Sequence, residues 1–329
     1  MPDPETAKAL DDLEDLLKRI PGASKFVKDV RDLRDLLVNR RPPRIAVLGR
    51  RGSGKSSLAN ALLGAEVATV GAVEDTTRVA GWYDITTRGH ALRWLDTPGL
   101  RAGAEPERRA EVERALRHEA PDVVLVLVKA TQVDAGIDED LAEVKALLDA
   151  LKDKGAAPRI VAVVARVDEL APARVKAPPY DEDPAKRQNI QDAVAVLKGH
   201  FERASIAAAA VVPVAAYQRF KDGARVVDWR WNLEALAEAI FEGLPRTAQV
   251  EAARAFERSQ DIRRRLAKGL VGTATSVSVV VGATPLPVAD LALLIPLQTL
   301  MLTSVVYISG RPFGARAVAA WLGGLGVSV

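Results

Sequence analysis

The segment GRRGSGKSS, residues 49–57, constrains this 329-residue chain more than any other stretch. It matches the pattern G-x-x-x-x-G-K-[ST] and lies between an apolar run and a helical pattern. Such a loop wraps backbone N–H groups around a β-phosphate, while its lysine contacts the β- and γ-phosphates and its serine hydroxyl binds Mg²⁺. The helix that follows points its positive end at the anion. The residues that we expect to bind the phosphates are Gly49, Arg51, Gly52, Ser53, Gly54, Lys55, Ser56 and Ser57.

A second motif, LDTPGL at residues 95–100, follows another apolar run. Asp96 ends that run, so its carboxylate is placed to reach Mg²⁺ through a water molecule. Gly99 has no side chain, so its backbone N–H is able to approach a γ-phosphate closely. A D-x-P-G turn alone is common in loops. The phosphate loop that precedes it in the chain favours the functional interpretation.

From residue 44 onward, apolar runs alternate with helical patterns. Continuous Val-rich runs between helices are typical of parallel strands that are covered on both faces. We therefore predict a three-layer α/β domain with a mostly parallel sheet over residues 41–245, with a polar, Pro-rich loop at 171–187. The predicted strands are RIAVLG, ALRWLD, DVVLVLVKA, RIVAVVARVD and AAVVPVAA.

Residues 1–40 predict a hairpin of two amphipathic helices. Apolar residues recur at helical spacing from Leu10 to Ile20, and Pro21 breaks the pattern. Ser24 is a candidate N-cap for the second helix. Pro42 and its neighbouring proline cannot continue a helix, so we expect the next domain to begin there.

With the segment EDTTR at residues 74–78, these motifs make the chain resemble the translation-factor-like GTPases. The resemblance is to the group of ribosome-assembly and tRNA-modifying GTPases in particular. It implies a P-loop NTPase fold that binds GTP or GDP with Mg²⁺ and hydrolyses GTP. In that group a threonine before an arginine binds Mg²⁺ in the GTP state, which here is Thr77, with Thr76 as the alternative. The resemblance thus implies a metal site of Ser56, Thr77 and Asp96 and catalytic contributions from Lys55, Thr77 and Gly99.

The motifs that read the base depart from the pattern of the group. The stretch Ala165-Arg166-Val167-Asp168 stands where the group has [NT]-K-x-D. Asp168 is in place to accept hydrogen bonds from guanine N1–H and N2–H, and the planar Arg166 is expected to stack over the base. Ala165 lacks the side chain that normally ties this loop to the phosphate loop. Ala215 and Ala216 match the next base-contacting motif, so we expect GTP to be preferred over ATP.

Hydrolysis is expected to be slow. Leu100 stands where other GTPases place a glutamine that orients water, and Gly52 stands where potassium-activated relatives have an asparagine. Arg50 and Arg51 are each either an arginine finger, built in or acting across a dimer, or a solvated or salt-bridged arginine. We therefore expect slow intrinsic turnover that a partner or self-association accelerates.

Residues 246–329 form a C-terminal region with an abrupt change in charge. Residues 251–268 have a basic helical pattern, whereas Asp290 is the only charged residue from Gly269 to Gly310. The second arm of this apolar run has 19 residues, close to the length that spans a bilayer. Either a membrane hairpin with both ends at the cytoplasmic face or a buried hairpin with Asp290 as N-cap fits the pattern.

The same region resembles the uncharacterised hydrophobic helical domains that are appended to bacterial GTPases. The resemblance rests on a run of small residues, the segment ATPLPVAD, and a helix with Pro296, Gln298 and Met301. It implies architecture rather than a biochemical role, and the domain is expected to be incomplete here.

Composition narrows the classes of function. The net charge of +3 gives no reason to expect DNA binding, and the absence of cysteine excludes disulfides and thiolate metal sites. Our first hypothesis is a cytoplasmic GTPase switch that attaches to the inner membrane through its C-terminal helices. The alternatives are a soluble regulatory GTPase that binds a protein or ribosomal partner, and a self-associating GTPase that remodels membranes.

Overall fold

The computed structural model describes residues 4–19, 22–66, 80–87, 90–97, 99, 106–134, 136–283 and 289–311. The chain divides into two compact units. The first, here called the helical unit, comprises Met1–Arg41, Pro245–Arg254 and Ser259–Val329. The second, here called the nucleotide unit, comprises Pro42–Leu244 and Ala255–Arg258.

The nucleotide unit contains, within the described residues, a six-stranded sheet of order β2-β3-β1-β4-β5-β6. All neighbouring pairs are parallel except β2 and β3, which are antiparallel. The predicted α/β class with a mostly parallel sheet is thus confirmed. The strands are β1 (Arg44–Gly49), β2 (Gly81–Thr87), β3 (His90–Asp96), β4 (Val123–Lys129), β5 (Arg159–Ala165) and β6 (Ala210–Val214).

Consecutive residues of the central strands are buried, which explains their uninterrupted apolar sequences. Val123 to Leu127 of β4 and Val161 to Ala165 of β5 are buried without alternation, so both faces of the sheet are covered. Helices supply the cover and are α3 (Lys55–Leu63), α4 (Pro106–His118), α5 (Ile137–Lys152), α6 (Pro184–Arg203) and α7 (Leu233–Phe241).

Two local features of the nucleotide unit differ from the sequence interpretation. Strand β2 was not among the predicted strands, because its polar and half-exposed sequence lacks the apolar signal of a central strand. Helix α6 begins at Pro184, inside the stretch predicted as a loop, where the Asp183 carboxylate accepts a hydrogen bond from the Lys186 backbone N–H at 2.9 Å.

A hairpin of β7 (Gln218–Lys221) and β8 (Ala224–Asp228) lies in the chain between β6 and α7. Asp222 and Gly223 have φ angles of 51° and 76° and form its two-residue turn. An Asp-Gly pair between two short runs is a strong hairpin signal, because such a turn needs positive φ at both positions. The hairpin could therefore have been predicted from this pair of residues.

The helical unit is a bundle built from the two ends of the chain. Helix α1 packs against α2 and α10, α2 packs against α9, and α9 packs against α10. Leu10, Leu13 and Leu17 are buried on α1, as are Val277 and Val281 on α9. Its helices are α1 (Pro4–Lys18), α2 (Ser24–Leu37), α8 (Arg246–Ala255, its last residue lying in the nucleotide unit), α9 (Gln260–Ala283) and α10 (Ala289–Ile308).

Four points about this unit bear on the sequence predictions. Ser24 is the first residue of α2 and makes no cap, since Ala23 occupies the N-cap position, so the predicted cap is wrong. The basic helical pattern at 251–268 is interrupted between α8 and α9. The side chain of Asp290 lies outside the described part of the chain. Among the residues described, none of the helices combines the length and the hydropathy needed to cross a bilayer.

Candidate nucleotide-binding site

The sheet register brings the predicted motifs to one edge. Val47 of β1 is opposite Asp96 of β3, Lys129 of β4 is opposite Ala165 of β5, and Ala165 is opposite Val214 of β6. The loops that follow β1, β3, β5 and β6 therefore leave the sheet on the same side. In open α/β sheets this edge, at the point where the strand order reverses, is where ligands bind.

Glycines set the path of the phosphate loop, defined here as residues 49–56. Gly49, Gly52 and Gly54 have φ angles of 155°, 76° and 101°. A Cβ on Gly49 would lie 2.4 Å from the Leu127 carbonyl oxygen, so only glycine fits beside β4. At Gly52 no atom of the described residues lies within 4 Å of such a Cβ, so there the conformation alone favours glycine.

Lys55 closes the phosphate loop at the start of α3. Its buried ammonium donates to the carbonyl oxygens of Gly49, at 3.1 Å, and Arg50, at 3.2 Å. Ser56 and Ser57 are partly exposed in the first turn of the same helix. Ser53 is 2% exposed, and its hydroxyl oxygen has no hydrogen-bond partner among the described residues. This donor-rich cradle fits a phosphate chain, with the Ser56 hydroxyl available to Mg²⁺.

The DTPG turn lies directly against the phosphate loop. Thr97 is fully buried, and its hydroxyl donates to the Val47 carbonyl oxygen at 2.7 Å, which ties the turn to β1. A Cβ on Gly99 would lie 2.4 Å from the Arg51 backbone nitrogen, so the two backbones are in contact. Asp96 is partly buried at the end of β3. The turn and the phosphate loop therefore meet where Gly99 lies against Arg51.

Several predicted residues lie outside the described part of the chain. They include Thr76 and Thr77, in the stretch 67–79, and Leu100. Within the described residues, no cluster of three or more His, Asp or Glu side chains is arranged to hold a metal ion.

Arg166 connects the base loop, defined here as residues 165–170, to the phosphate loop. Its guanidinium donates to the Gly52 carbonyl oxygen at 3.0 Å and pairs with Glu169 at 2.5 Å. Its Cγ lies 3.7 Å from the position that a Cβ on Gly54 would take. The side chain thus crosses the phosphate loop, a contact that the sequence analysis did not anticipate.

Asp168 lies partly buried in the base loop, and burial raises the pKa of its carboxyl above the usual value. Two donors from a guanine base would offset this loss of hydration. The buried Lys186 holds the base loop, because its ammonium donates to the carbonyl oxygens of Asp168, at 2.8 Å, and of Leu170. Burial lowers the pKa of Lys186. No sequence pattern identified this lysine.

Backbone hydrogen bonds hold the second predicted base-contacting motif, Ala215 and Ala216, in place. Ala215 is fully buried and exchanges two backbone hydrogen bonds with Trp231, of 3.3 and 2.9 Å. Ala216 follows it and is partly exposed. The next residue, Tyr217, packs its ring against Trp229 with the centroids 5.1 Å apart.

Arg50 is held by the beginning of α5. It pairs with Asp140 at 2.5 Å and donates to the Gly136 carbonyl oxygen at 2.7 Å. These contacts favour the salt-bridge alternative for this residue. Arg51 is exposed, and its backbone lies against Gly99.

The hairpin is attached to the far end of α3 by charged side chains. Arg230 is 4% exposed, pairs with Asp228 at 2.7 Å and with Glu257, and donates to the Ala61 carbonyl oxygen at 3.1 Å. Arg225 donates to the Gly64 carbonyl oxygen at 3.0 Å. We call this set the hairpin ion cluster, and its members are Arg225, Asp228, Arg230, Glu257 and Arg258.

Comparison with known proteins identifies relatives of this domain. The family described as 50S ribosome-binding GTPase matches residues 44–165. GTPase Der of Chloroflexus aurantiacus is 41% identical over 103 residues, which cover 30% of this chain and 23% of the relative. The tRNA modification GTPase MnmE of Thermus thermophilus is 43% identical over 90 residues, which cover 27% of this chain and 21% of the relative. The chain thus spans less than a third of these relatives.

Solved structures similar to this chain include complexes with GDP. An Era variant from Aquifex aeolicus bound to GDP and AlF4⁻ is 25% identical with a TM-score of 0.39, covering 61% of this chain and 56% of its own. Toc33 from Arabidopsis thaliana with GDP and Mg²⁺ is 17% identical with a TM-score of 0.43. The match covers 69% of this chain and 94% of the Toc33 chain. Over residues 44–165, this chain is a P-loop GTPase domain related to those of Der and MnmE.

Proposed function

We propose that the protein is a Mg²⁺-dependent molecular switch that binds GTP and hydrolyses it to GDP. The observation that carries this proposal is the contact between the DTPG turn and the phosphate loop. Gly99 has no room for a side chain beside Arg51. A turn in this position changes its contacts when the γ-phosphate is lost, which is the property a switch requires.

In the proposed reaction Lys55 and the loop N–H groups hold the β- and γ-phosphates, and the Gly99 N–H contacts the γ-phosphate. Ser56, Thr77 and Asp96, through water, would hold Mg²⁺, which neutralises charge that develops on the phosphate oxygens. Such positioning and electrostatic stabilisation supply most of the catalysis in phosphoryl transfer.

We propose that turnover of the isolated protein is slow. Leu100 has no polar group to orient the attacking water, and Arg50 is engaged by Asp140. Arg51 is exposed next to the turn and is our candidate for a finger that acts within the protein or across a dimer. Hydrolysis per molecule should then rise with protein concentration. A constant rate over a hundredfold range of concentration would contradict acceleration by self-association.

Base selectivity gives the sharpest test of the nucleotide assignment. Asp168→Asn replaces one acceptor by a donor, so guanine loses a partner while the carbonyl at position 2 of xanthine gains one. We expect affinity for GDP to fall about 100-fold and affinity for xanthosine diphosphate to rise, because a charged hydrogen bond is worth about 1.5–3 kcal/mol. Binding is measured by displacement of a fluorescent GDP analogue.

Two further variants make this test specific. Lys55→Ala should abolish binding of every nucleotide, since it removes the charge next to the phosphates. Asp192→Asn makes the same chemical change on the exposed side of α6 and should leave binding unchanged. Equal affinity of the wild type for ADP and GDP, or no effect of Asp168→Asn, would overturn the assignment to guanine nucleotides.

We further propose that the helical unit attaches the protein to the cytoplasmic surface of an anionic membrane. The outward side chains of α9 are basic near its beginning, at Arg264, Arg265 and Lys268. Farther along the helix, Val271 and Val279 are 41% and 64% exposed. A basic stretch followed by exposed apolar side chains suits attachment to anionic lipid without a membrane-spanning segment. The alternative is a protein or ribosomal partner at the same face.

Sedimentation with liposomes separates these two possibilities. The full chain, with GDP or a non-hydrolysable GTP analogue, is mixed with anionic or neutral vesicles at two salt concentrations. We expect binding to anionic vesicles that depends on the nucleotide and weakens in Arg264→Glu/Arg265→Glu. The matched control is Lys152→Glu/Lys154→Glu, at exposed positions of the nucleotide unit. A folded wild type that stays in the supernatant throughout would rule out membrane attachment.

A further inference from the structure

The long segment between the base loop and α6 contains a buried tyrosine. Tyr180 is fully buried, whereas the other residues of 171–183 are partly or fully exposed. Its hydroxyl donates to the Lys176 carbonyl oxygen at 3.0 Å and lies 3.4 Å from the Trp229 carbonyl oxygen. Its ring meets that of Trp231 edge to face, with the centroids 6.0 Å apart. Tyr180 thus connects this segment to the residues that follow β8.

The same ring lies beside the ammonium group that holds the base loop. Lys186 is fully buried in the first turn of α6, and its Nζ is 5.4 Å from the centroid of the Tyr180 ring. The ammonium donates to the Asp168 carbonyl oxygen at 2.8 Å and to that of Leu170. A buried charge is costly unless it is surrounded by groups that favour it, which here are two carbonyl oxygens and an aromatic ring. Lys186 therefore joins the base loop to Tyr180.

The carboxylate of Asp168 acts on both members of this pair. Burial lowers the pKa of Lys186, and the carboxylates of Asp168 and Asp183 raise it in part. Burial also raises the pKa of Tyr180, and the charge of Asp168 raises it further. The tyrosine hydroxyl therefore stays protonated and able to donate. The carboxylate expected to bind guanine thus lies within electrostatic reach of the two buried side chains.

The other base-contacting loop is attached to the residues that Tyr180 contacts. Ala215 exchanges two backbone hydrogen bonds with Trp231, of 3.3 and 2.9 Å. The Tyr217 carbonyl oxygen accepts a hydrogen bond from the Trp229 N–H at 3.0 Å. The residue expected to meet the base through its N–H is the alanine between these two attachments. Tyr180 and Lys186 therefore form a buried connection between the loop after β5 and the loop after β6.

We propose that Lys186 and Tyr180 are positioning residues that set the spacing of the two base-contacting loops, and so determine how strongly the site prefers guanine. This inference rests on the proposed function. Guanine needs Asp168 on one loop and the Ala216 N–H on the other at the same time. Loops already held at the right spacing lose less conformational freedom on binding, so breaking the connection weakens both contacts together.

The first test removes the ammonium and keeps an unbranched side chain. Lys186→Met has no donor for the carbonyl oxygens of Asp168 and Leu170. We expect affinity for GDP to fall about tenfold, in line with the loss of a charged hydrogen bond, while affinity for ADP changes less than about twofold. ADP has the same phosphates but cannot donate to Asp168 as guanine does, so the ratio of the two affinities isolates the base side. Both are measured by displacement of a fluorescent GDP analogue. Lys198→Met, at an exposed position of the same helix, is the matched control and should leave the ratio unchanged.

The second test changes the other member of the pair. Tyr180→Leu keeps an apolar side chain in the core but removes the ring beside the ammonium and the hydroxyl beside the Trp229 carbonyl oxygen. We expect the GDP-to-ADP ratio to fall about threefold. In Lys186→Met/Tyr180→Leu the ratio should fall no further than in Lys186→Met, because the two side chains act through one connection. Independent effects would multiply to about thirtyfold and would contradict the proposed pairing.

The outcomes are distinct from those for the proposed function. A wild type that binds no GDP analogue, or binds GDP and ADP equally, refutes the proposed function and this inference with it. A wild type that prefers GDP, with an unchanged ratio in Lys186→Met, refutes this inference alone, even if the melting temperature of the variant is lower. If Lys186→Met does not fold, Tyr180→Leu decides, and an unchanged ratio in that variant would overturn the inference.

Discussion

On the phosphate side of the candidate site glycines set the path of the backbone, whereas on the base side charged side chains hold the loops. Gly49 and Gly99 each lie so close to another backbone that a Cβ would be 2.4 Å from it. The base side instead depends on Arg166 and on Lys186, whose ammonium donates to the Asp168 carbonyl oxygen. Backbone contacts specify residue types strictly, whereas side-chain contacts can be made by substitutes. This difference explains why the phosphate motif is intact while the base motif has changed.

The largest effect is expected on the phosphate side, at Gly49→Ala. The new Cβ would clash with the Leu127 carbonyl oxygen and force an unfavourable φ, so we expect a loss of about 4 kcal/mol in the free energy of unfolding. Urea unfolding measures it. The loss should be the same at low and high salt, because no charge is involved; a strong salt dependence would contradict backbone control.

The next largest effect is expected where charged side chains hold the hairpin to α3, at Arg230→Met. Arg230 is buried and donates to Asp228, Glu257 and the Ala61 carbonyl oxygen, so its removal takes one donor from each of these acceptors. Arg225 and Arg258 still pair with the carboxylates, which limits the loss. We expect a loss of about 2–3 kcal/mol, by the same urea measurement. Lys221→Met, at an exposed position of the same hairpin, is the control. A loss no larger than that of the control would mean that the ion cluster does not hold the hairpin.

Acid should weaken the hairpin ion cluster but not the glycine contacts of the phosphate loop. Hydrogen bonds from Arg230 lower the pKa of Asp228 to about 2, so its stabilising contribution is complete above its ordinary value of 3.8 and is lost as the pH falls towards 2. Asp228→Asn should therefore destabilise by about 1–1.5 kcal/mol at pH 6, a value reduced for the partial exposure of the carboxylate, and by much less near pH 2.5. Melting temperatures of both proteins across this range would show the difference, and parallel curves would contradict the assignment.

The smallest effect is expected at Gly52→Ala, which is compared with Gly49→Ala in the same loop. Gly52→Ala introduces a side chain into open space, so only the left-handed φ of 76° is unfavourable. We expect a loss of about 1 kcal/mol in urea unfolding. A loss as large as that of Gly49→Ala would show that conformation rather than close approach governs the loop.

The sequence predicted the elements whose structure depends on residues close to one another in the chain. The apolar runs located five strands, and the glycine pattern located the phosphate loop, because both depend on residues that are neighbours in the chain. Arg166 and Lys186 were not assigned their contacts, since each bonds to a carbonyl oxygen brought near by the fold. Strand β2 was missed because a polar edge strand has no continuous apolar signal. For the C-terminal hairpin the sequence left two alternatives, and packing of α9 and α10 with α1 and α2 depends on contacts that only the folded chain reveals.

The bundle made from both ends of the chain has a consequence for biosynthesis. Leu10, Leu13 and Leu17 of α1 lie in a bundle completed by α9 and α10, which begin at Gln260 and Ala289. At about 5–20 residues per second, a ribosome needs on the order of ten to fifty seconds to make the intervening chain. During that time the N-terminal helices have an apolar surface without its final cover, while the nucleotide domain can already be made in full. The nascent chain is therefore expected to need protection, by a chaperone or by the ribosome surface, until its last helices emerge.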